Sequence, residues 1–237
     1  MHLSVAVSKI DKWAERQGGD TLEMIERPQG GLSLVLSDGQ SSGPGAKSIS
    51  IWVVRKVVSE LAEGVRDGAA ARAANDILYA MRGGRVSATL AILSVDLQSR
   101  SLVITRCGNA SVYVRPPGGD LYALDEDSPT LGFYARTRPL VTELPLEPGL
   151  MACAFTDGLL HAGGRSGSGA LDIPQSIETI WQETPSAQAL VDGLLARSLE
   201  RDQNRPTDDT SVLAVHIQSG EPTGPRTLHA EMPLPDF

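Results

Sequence analysis

The run of short apolar segments between residues 88 and 125 constrains the fold more than any other feature. Four strand-like stretches follow one another there, separated by short turns: ATLAILSVDL, SLVITRCG, SVYVRPP and DLYALD. Connections this short leave no room for the crossover that a parallel pair of strands requires. The segment therefore predicts an antiparallel meander and argues against a strict β-α-β alternation.

The rest of the chain adds a hairpin, single strands and paired helices. The turn-like RPQGG joins two strand-like runs, and HLSVAVSK, VTELPL, MACAFTDG and TSVLAVHI predict further strands. Helical spacing of apolar residues predicts a helix after SSGPG, a second over Ala69–Met81, and two more near Gln175–Gln182 and Ser186–Arg201. Roughly ten strands are many for one sheet, so we expect an α+β fold with two packed antiparallel sheets and helices on their outer faces.

The charge balance bears on partners and location. The chain of 237 residues has a formal net charge of −8 and no long basic run, which argues against a nucleic-acid surface. No stretch approaches the ~20 apolar residues of a membrane span, and no signal-peptide pattern is visible. We therefore expect a cytoplasmic protein with no nucleic-acid or membrane partner. Cys107 and Cys153 lack CxxC spacing and are interpreted as buried, reduced thiols.

The stretch LVLSDGQSSGPGAKS, residues 34–48, has two interpretations. Its second half is similar to a Walker A phosphate loop, but the two glycine positions of that motif fall on Ser41 and Ala46. The preceding strand also lies in a hairpin, whereas a phosphate loop follows a strand of a parallel β-α-β unit. A P-loop NTPase stays an alternative on this evidence. The first half predicts a strand that ends at the carboxylate of Asp38.

Four acidic positions lie at the ends of strand-like segments. Asp38 and Asp157 each follow an apolar strand and precede a glycine, Asp20 precedes a strand, and the pair Asp208 and Asp209 precedes TSVLAVHI. Each residue alone would be an ordinary turn or capping residue. Together, carboxylates that project beyond strand ends form the ligand set of a shared metal site, and a set without His or Cys selects Mg²⁺ or Mn²⁺.

The ordered motifs G-D, S-D-G-x-x-S-G-x-x-A, T-D-G and D-D-T-S carry a specific resemblance. The chain resembles the metal-dependent serine/threonine protein phosphatases of PPM type, and within them the bacterial branch of stage II sporulation protein E and the stressosome phosphatases. The resemblance covers roughly Leu3 to Ile217 and includes LEPGLMACAFTDGLLHA. It implies two antiparallel sheets packed face to face, one phosphatase domain over residues 1–217, and a C-terminal tail over residues 218–237, which is expected to be flexible.

The resemblance also implies roles for single residues. Asp38 would bridge two divalent cations, Mn²⁺ or Mg²⁺, and activate a water. The backbone carbonyl of Gly39 would bind one cation. Asp157 and Asp208 would hold the other, and Asp20 would contribute directly or through water.

Several positions depart from the pattern of the family. Gln40 stands where some members have a histidine that protonates the leaving group, and Ser41 stands where this branch often has glycine. Asp209 is less suited than its neighbour to be a ligand, because relatives can carry an amide there. Arg16 is a candidate for binding substrate phosphate, although its spacing to the next acid is not a clear match. His161 is interpreted as an ordinary helix or surface residue.

The function implied by the resemblance is hydrolysis of phosphoserine or phosphothreonine on a bacterial regulatory protein. A STAS-domain antagonist or a stressosome component would be such a substrate, and a water activated by two metals would attack the phosphorus. The alternative is a catalytically weak phosphatase-like module that only binds a partner. The resemblance also suggests the helices after Gly45 as a candidate regulatory element.

Overall fold

The computed structural model contains two five-stranded antiparallel sheets with helices on their outer faces, as predicted. It describes residues 1–13, 15, 17–164, 167–221 and 224–231. The strands in these residues are β1 (His2–Ile10), β2 (Thr21–Glu26), β3 (Gly31–Ser37), β4 (Leu90–Asp96), β5 (Ser101–Cys107), β6 (Val112–Arg115), β7 (Tyr122–Leu124), β8 (Leu140–Pro145), β9 (Met151–Phe155) and β10 (Thr210–Gln218). The helices are α1 (Gly43–Ala62), α2 (Asp67–Arg82), α3 (Asp157–His161), α4 (Ile173–Glu183) and α5 (Ala187–Arg201).

The strand order shows one departure from the predicted meander. One sheet has the order β1-β10-β9-β6-β7 and the other has the order β2-β3-β4-β5-β8. β4 and β5 therefore belong to one sheet, whereas β6 and β7 belong to the other. The single continuous meander was wrong, because a short turn within a sheet and a short crossing between two packed sheets have the same local pattern. Gly108 begins this crossing with a φ of 77°, a left-handed conformation that favours glycine.

Apolar side chains fill three layers. The middle layer lies between the sheets and takes residues from β3, β4 and β5 on one side and from β6, β9 and β10 on the other. α1 and α2 cover the outer face of one sheet, and α4 and α5 cover the outer face of the other. Along β3, Leu34 and Leu36 belong to the middle layer and Val35 belongs to the layer under α1 and α2. This alternation has the period of two that a strand buried on both faces requires.

A buried ion pair fastens α2 to its sheet. α2 begins at Asp67, two residues before the predicted start, because an acidic residue in the first turn favours a helix N-terminus. Asp67 accepts a hydrogen bond from Arg27 at 3.2 Å and another from Ser94. Arg27, itself 7% exposed, also lies 3.5 Å from a carboxylate oxygen of Asp96. The pair thus links the turn after β2 to the start of α2.

The chain beyond β10 forms no regular element in its described residues, 219–221 and 224–231. The predicted boundary at residue 217 lies one residue before the end of β10. Cys107 and Cys153 are fully buried and free, and burial raises the pKa of both thiols to about 12. Among the described helices, none combines the length and the apolar character needed to cross a membrane.

Candidate active site

Three of the predicted acidic residues line one cleft, and a fourth, Asp20, lies buried beside Asp38. Asp38 directly follows β3, Asp157 begins α3 just after β9, and Asp20 and Asp208 lie shortly before β2 and β10. The cleft has a volume of about 490 Å³, and Asp38, Asp157 and Asp208 line it. Because all four strands end at the same edge of the sandwich, residues that are up to 188 positions apart in sequence become neighbours.

The four carboxylates repel one another. Burial, followed by the charges of Asp20, Asp157 and Asp208, raises the pKa of Asp38 to about 8. Burial also raises the pKa of Asp157, which the nearby His161 partly offsets. Carboxylates that raise one another's pKa in a partly buried cleft are unfavourable unless a proton or a cation lies between them. The arrangement is therefore typical of a site that binds divalent cations.

Asp20 has an orphaned oxygen at this centre. Its side chain is 1% exposed, and its Oδ2 atom accepts hydrogen bonds from Thr156 at 2.8 Å and from Ser211 at 2.7 Å. Its Oδ1 atom is buried and has no hydrogen-bond partner within the described residues. Burial raises the pKa of Asp20 to about 6, although both hydroxyl donors act in the opposite direction. A buried carboxylate oxygen without a donor fits a cation as its missing partner.

Close backbone contacts require the glycines of the two Asp-Gly pairs at the site, Gly39 and Gly158. A Cβ atom on Gly39 would lie 2.1 Å from the carbonyl oxygen of Ala46 in α1. A Cβ atom on Gly158 would lie 2.1 Å from the carbonyl oxygen of Asp209. Glycine at both positions lets the segments that carry the acids approach each other. The role of the Gly39 carbonyl as a ligand stays a prediction.

Asp208 and Asp209 face different surroundings. Asp209 is 5% exposed, and its two carboxylate oxygens accept hydrogen bonds from the backbone N–H groups of Lys12 at 2.8 Å and Gly19 at 2.6 Å. Asp208 is half-buried, lines the cleft, and accepts a hydrogen bond from the N–H of Asp209. Asp209 thus has a structural task already, which leaves Asp208 as the better ligand of the pair.

Lys47 has a different role from the one that a phosphate loop would give it. Lys47 and Lys9 both donate hydrogen bonds to the backbone carbonyl of Asp20. Burial, followed by the nearby charge of Lys9, lowers the pKa of Lys47. β3 pairs antiparallel with β2 and β4, so the parallel unit that precedes a P-loop does not exist at this position. These contacts favour the carboxylate interpretation of residues 34–48.

The positions that depart from the family pattern lie along the cleft. Gln40 accepts a hydrogen bond of 3.0 Å from the backbone N–H of Ser87, so its side chain is held against that segment. Ser41 has a φ of 84°, the left-handed conformation that glycine adopts without strain. The glycine that the resemblance leads us to expect at this position would therefore have a conformational reason. Arg16, the predicted phosphate ligand, lies outside the described residues.

Lys12, which the sequence did not single out, and His161, which was interpreted as an ordinary helix or surface residue, also reach the site. Lys12 lines the cleft, and its Nζ atom forms neither an ion pair nor a hydrogen bond within the described part of the chain. His161 ends α3 four residues after Asp157, and one ligand atom from each of Asp157, His161 and Asp208 lies within 4.8 Å of the others. The four-residue spacing was the available signal for His161, since such residues share a helix face. Lys12 left no comparable signal.

Comparison with known proteins identifies a family model and several related folds. The model described as Stage II sporulation protein E (SpoIIE) matches residues 28–218. Comparison with curated proteins finds no match. A solved structure of the PP2C phosphatase domain and a regulatory fragment of SpoIIE from Bacillus subtilis aligns with a TM-score of 0.76 at 18% identity. That alignment covers 92% of this chain and 64% of the other.

Two further solved structures contain metal ions. RsbX in complex with magnesium aligns with a TM-score of 0.69 at 20% identity, covering 92% of this chain and 96% of that one. The catalytic domain of the serine/threonine phosphatase PstP in complex with two manganese ions aligns with a TM-score of 0.69 at 16% identity, covering 92% and 99%. At these identities the likeness is one of fold, and it agrees with two antiparallel sheets between outer helices.

Proposed function

Because the chain belongs to the stage II sporulation protein E (SpoIIE) family, we propose that it removes phosphate from phosphoserine or phosphothreonine of a regulatory protein. Family and fold place it with the PP2C-type serine/threonine phosphatases. The observation that carries the proposal is the convergence of Asp38, Asp157 and Asp208 in one cleft, with Asp20 buried beside Asp38 and carrying an orphaned oxygen. No nucleophilic side chain is needed for this chemistry.

The residues of the cleft fit two divalent cations, Mn²⁺ or Mg²⁺. Asp38 has carboxylate neighbours on several sides, which suits a ligand shared between two ions. Asp157 and Asp208 would hold one ion, the Gly39 carbonyl would bind the other, and Asp20 would contribute directly or through water, in keeping with the roles implied by the family. When bound, the two ions would lower the pKa of a shared water and offset charge on the phosphoryl oxygens.

Other residues of the chain would bind and orient the phosphate. Lys12 lines the cleft, and its ammonium group has no carboxylate partner among the described residues, so it would attract a phosphate dianion. Asn109, Ser87 and Thr130 add neutral polar groups to the cleft wall. Gln40 cannot act as an acid, because a carboxamide has no proton to release at physiological pH. The leaving hydroxyl group would therefore take its proton from a group other than Gln40.

The identity of the substrate rests on family analogy. A phosphorylated bacterial regulator, such as a STAS-domain antagonist or a stressosome component, would be dephosphorylated as part of signal transduction in a stress response. The cytoplasm is the compartment that such a partner implies. We expect a higher kcat/KM for dephosphorylation of such a phosphorylated protein than for an isolated phosphopeptide of the same local sequence. The reason is that a folded partner adds contacts outside the cleft.

The test compares hydrolysis of p-nitrophenyl phosphate with Mn²⁺ by the parent chain and by Asp38→Asn. We expect the substitution to lower kcat by at least about a hundredfold, since it removes the charge between the two cation positions. Asp120→Asn, which changes an exposed turn residue, is the matched control. Equal turnover by parent and Asp38→Asn would reject the mechanism. Metal binding by a parent chain that has no turnover would favour the phosphatase-like binding module.

A further inference from the structure

His161 faces the acidic centre from the end of α3. Asp157 begins this five-residue helix and His161 ends it, so both side chains lie on the same face of the helix. One ligand atom each from Asp157, His161 and Asp208 lies within 4.8 Å of the other two. Three ligand atoms at this mutual separation can surround one ion with bonds of ~2.0–2.3 Å after small side-chain rotations.

We propose that His161 supplies a nitrogen ligand to the cation held by Asp157 and Asp208, and thereby makes this position select Mn²⁺ over Mg²⁺. The proposal rests on the metal centre of the proposed function and goes beyond the all-oxygen ligand set expected from the sequence. Mg²⁺ is a hard ion that binds oxygen ligands, whereas imidazole suits transition metals. One imidazole among carboxylates therefore shifts the preference of a site without changing its fold.

Packing and hydrogen bonds hold the backbone around His161 in place. Leu159 and Ala162, in the same segment, are fully buried. The backbone N–H of Gly163 donates to Oδ1 of Asp202 at 2.8 Å, and the N–H of Thr207 donates to Oδ2 of the same carboxylate at 3.1 Å. Asp202 thus ties the segment that follows His161 to the segment that precedes Asp208. The segments that carry His161 and Asp208 are thus held together by the buried Asp202.

An independent observation supports a cation at this centre. Asp20, which is 1% exposed, has a carboxylate oxygen without any donor in the described residues, and it lies against Asp38. Asp38 in turn is electrostatically coupled to Asp157 and Asp208. The unsatisfied oxygen and the histidine therefore approach one acidic centre from different parts of the chain. His161 is the exposed member of the group, so its ring nitrogens are free to turn toward an ion.

The decisive experiment detects nitrogen bound to Mn²⁺. The full chain is loaded with one equivalent of Mn²⁺ and examined by pulsed electron paramagnetic resonance. We expect a ¹⁴N coupling that changes to the ¹⁵N pattern when only the histidines are labelled with ¹⁵N. The coupling should disappear in His161→Gln, which offers an oxygen in place of the nitrogen, and should persist in His229→Gln, which alters an exposed histidine far along the chain.

Calorimetric titration with Mn²⁺ and with Mg²⁺ gives the second readout. In His161→Gln, the ratio of the Mg²⁺ Kd to the Mn²⁺ Kd should fall on the order of tenfold. Absence of histidine nitrogen coupling in the parent chain, or an unchanged ratio of the two Kd values in the variant, overturns the proposal. These outcomes are separate from failure of the proposed function, which would appear as Mn²⁺-dependent hydrolysis that survives Asp38→Asn.

Discussion

Oδ2 of Asp209 accepts a hydrogen bond of 2.6 Å from the backbone N–H of Gly19, a residue 190 positions earlier in the chain. Oδ1 of the same carboxylate accepts from the N–H of Lys12. One buried side chain therefore fixes both the approach to Asp20 and the backbone of the lysine in the cleft. Asp208 and Asp209 both line the cleft, but only Asp209 accepts hydrogen bonds from the backbones of Lys12 and Gly19, which leaves Asp208 available for a cation.

Replacing Asp209 by Asn should weaken the site without removing a ligand. The amide keeps one acceptor oxygen, but its NH₂ group faces a backbone N–H, so one hydrogen bond to a charged group is lost and two donors meet. We expect a loss of about 1–3 kcal/mol in the free energy of unfolding and a fall in kcat on the order of tenfold. Urea unfolding and p-nitrophenyl phosphate turnover measure these quantities. Unchanged values for both quantities would show that the hydrogen bonds to Asp209 do not position the site.

The pH dependence of stability should reveal the repulsion around Asp38. The pKa of this carboxyl group is about 8 in the metal-free folded state and 3.8 ordinarily, so between these values the folded state binds a proton that the unfolded state does not. Its stabilising contribution is full below the unfolded pKa and is lost as the pH rises through about 8. With EDTA present, the free energy of unfolding should therefore fall by about 2 kcal/mol from pH 6 to pH 8.

Asp38→Asn is the control for that measurement. Its unfolding free energy should depend less on pH over the same interval, because the titrating group is gone. Mn²⁺ added to the parent chain at pH 8 should raise Tm, since the ion binds the folded state and replaces the proton. Parallel pH profiles for the parent and the variant would contradict the assignment of this titration to Asp38.

Ser41 offers a test of conformational strain beside the site. Its φ of 84° is unfavourable for a residue with a Cβ atom, so Ser41→Gly should raise the free energy of unfolding by about 1 kcal/mol. Ser42 is the matched control, because its φ is −139° and its side chain makes no capping hydrogen bond. Ser42→Gly should be neutral or slightly destabilising. A gain from the second substitution equal to that from the first would argue against strain at Ser41.

Lys12→Gln tests the phosphate-binding role of the unpaired ammonium group. We expect KM for p-nitrophenyl phosphate to rise on the order of tenfold, with a smaller change in kcat, because the lost attraction acts on the substrate dianion from the moment it binds. Added salt should raise the KM of the parent chain more than that of the variant. Lys56→Gln alters a lysine paired with Glu60 on α1 and serves as the control. An unchanged KM for Lys12→Gln would assign phosphate binding to other groups.

The acidic centre was predictable because its signal is local. An apolar strand that ends in Asp-Gly marks Asp38 and Asp157, and the packing of two sheets follows from the number of strands. Lys12 was not predictable, since its place in the cleft depends on a hydrogen bond to Asp209, 197 positions away. The crossing of the chain from one sheet to the other between β5 and β6 also has no recognisable sequence pattern. To predict that His161 reaches the site, one must know that α3 starts at Asp157 itself, because only then does the spacing of four residues place Asp157 and His161 on one helix face.

The position of β10 in its sheet has a consequence for biosynthesis. β10 is the last described strand in the chain, yet it lies between β1 and β9, and Asp208 and Asp209 immediately precede it. A growing polypeptide that has emerged only as far as β9 lacks one predicted cation ligand, the anchor of the Gly19 backbone, and the strand that joins the first residues to the rest. Hydrolytic competence would therefore require synthesis of the chain through β10. A truncated product that stops before residue 208 would contain Asp20, Asp38 and Asp157 but lack Asp208 and the carboxylate that anchors Gly19.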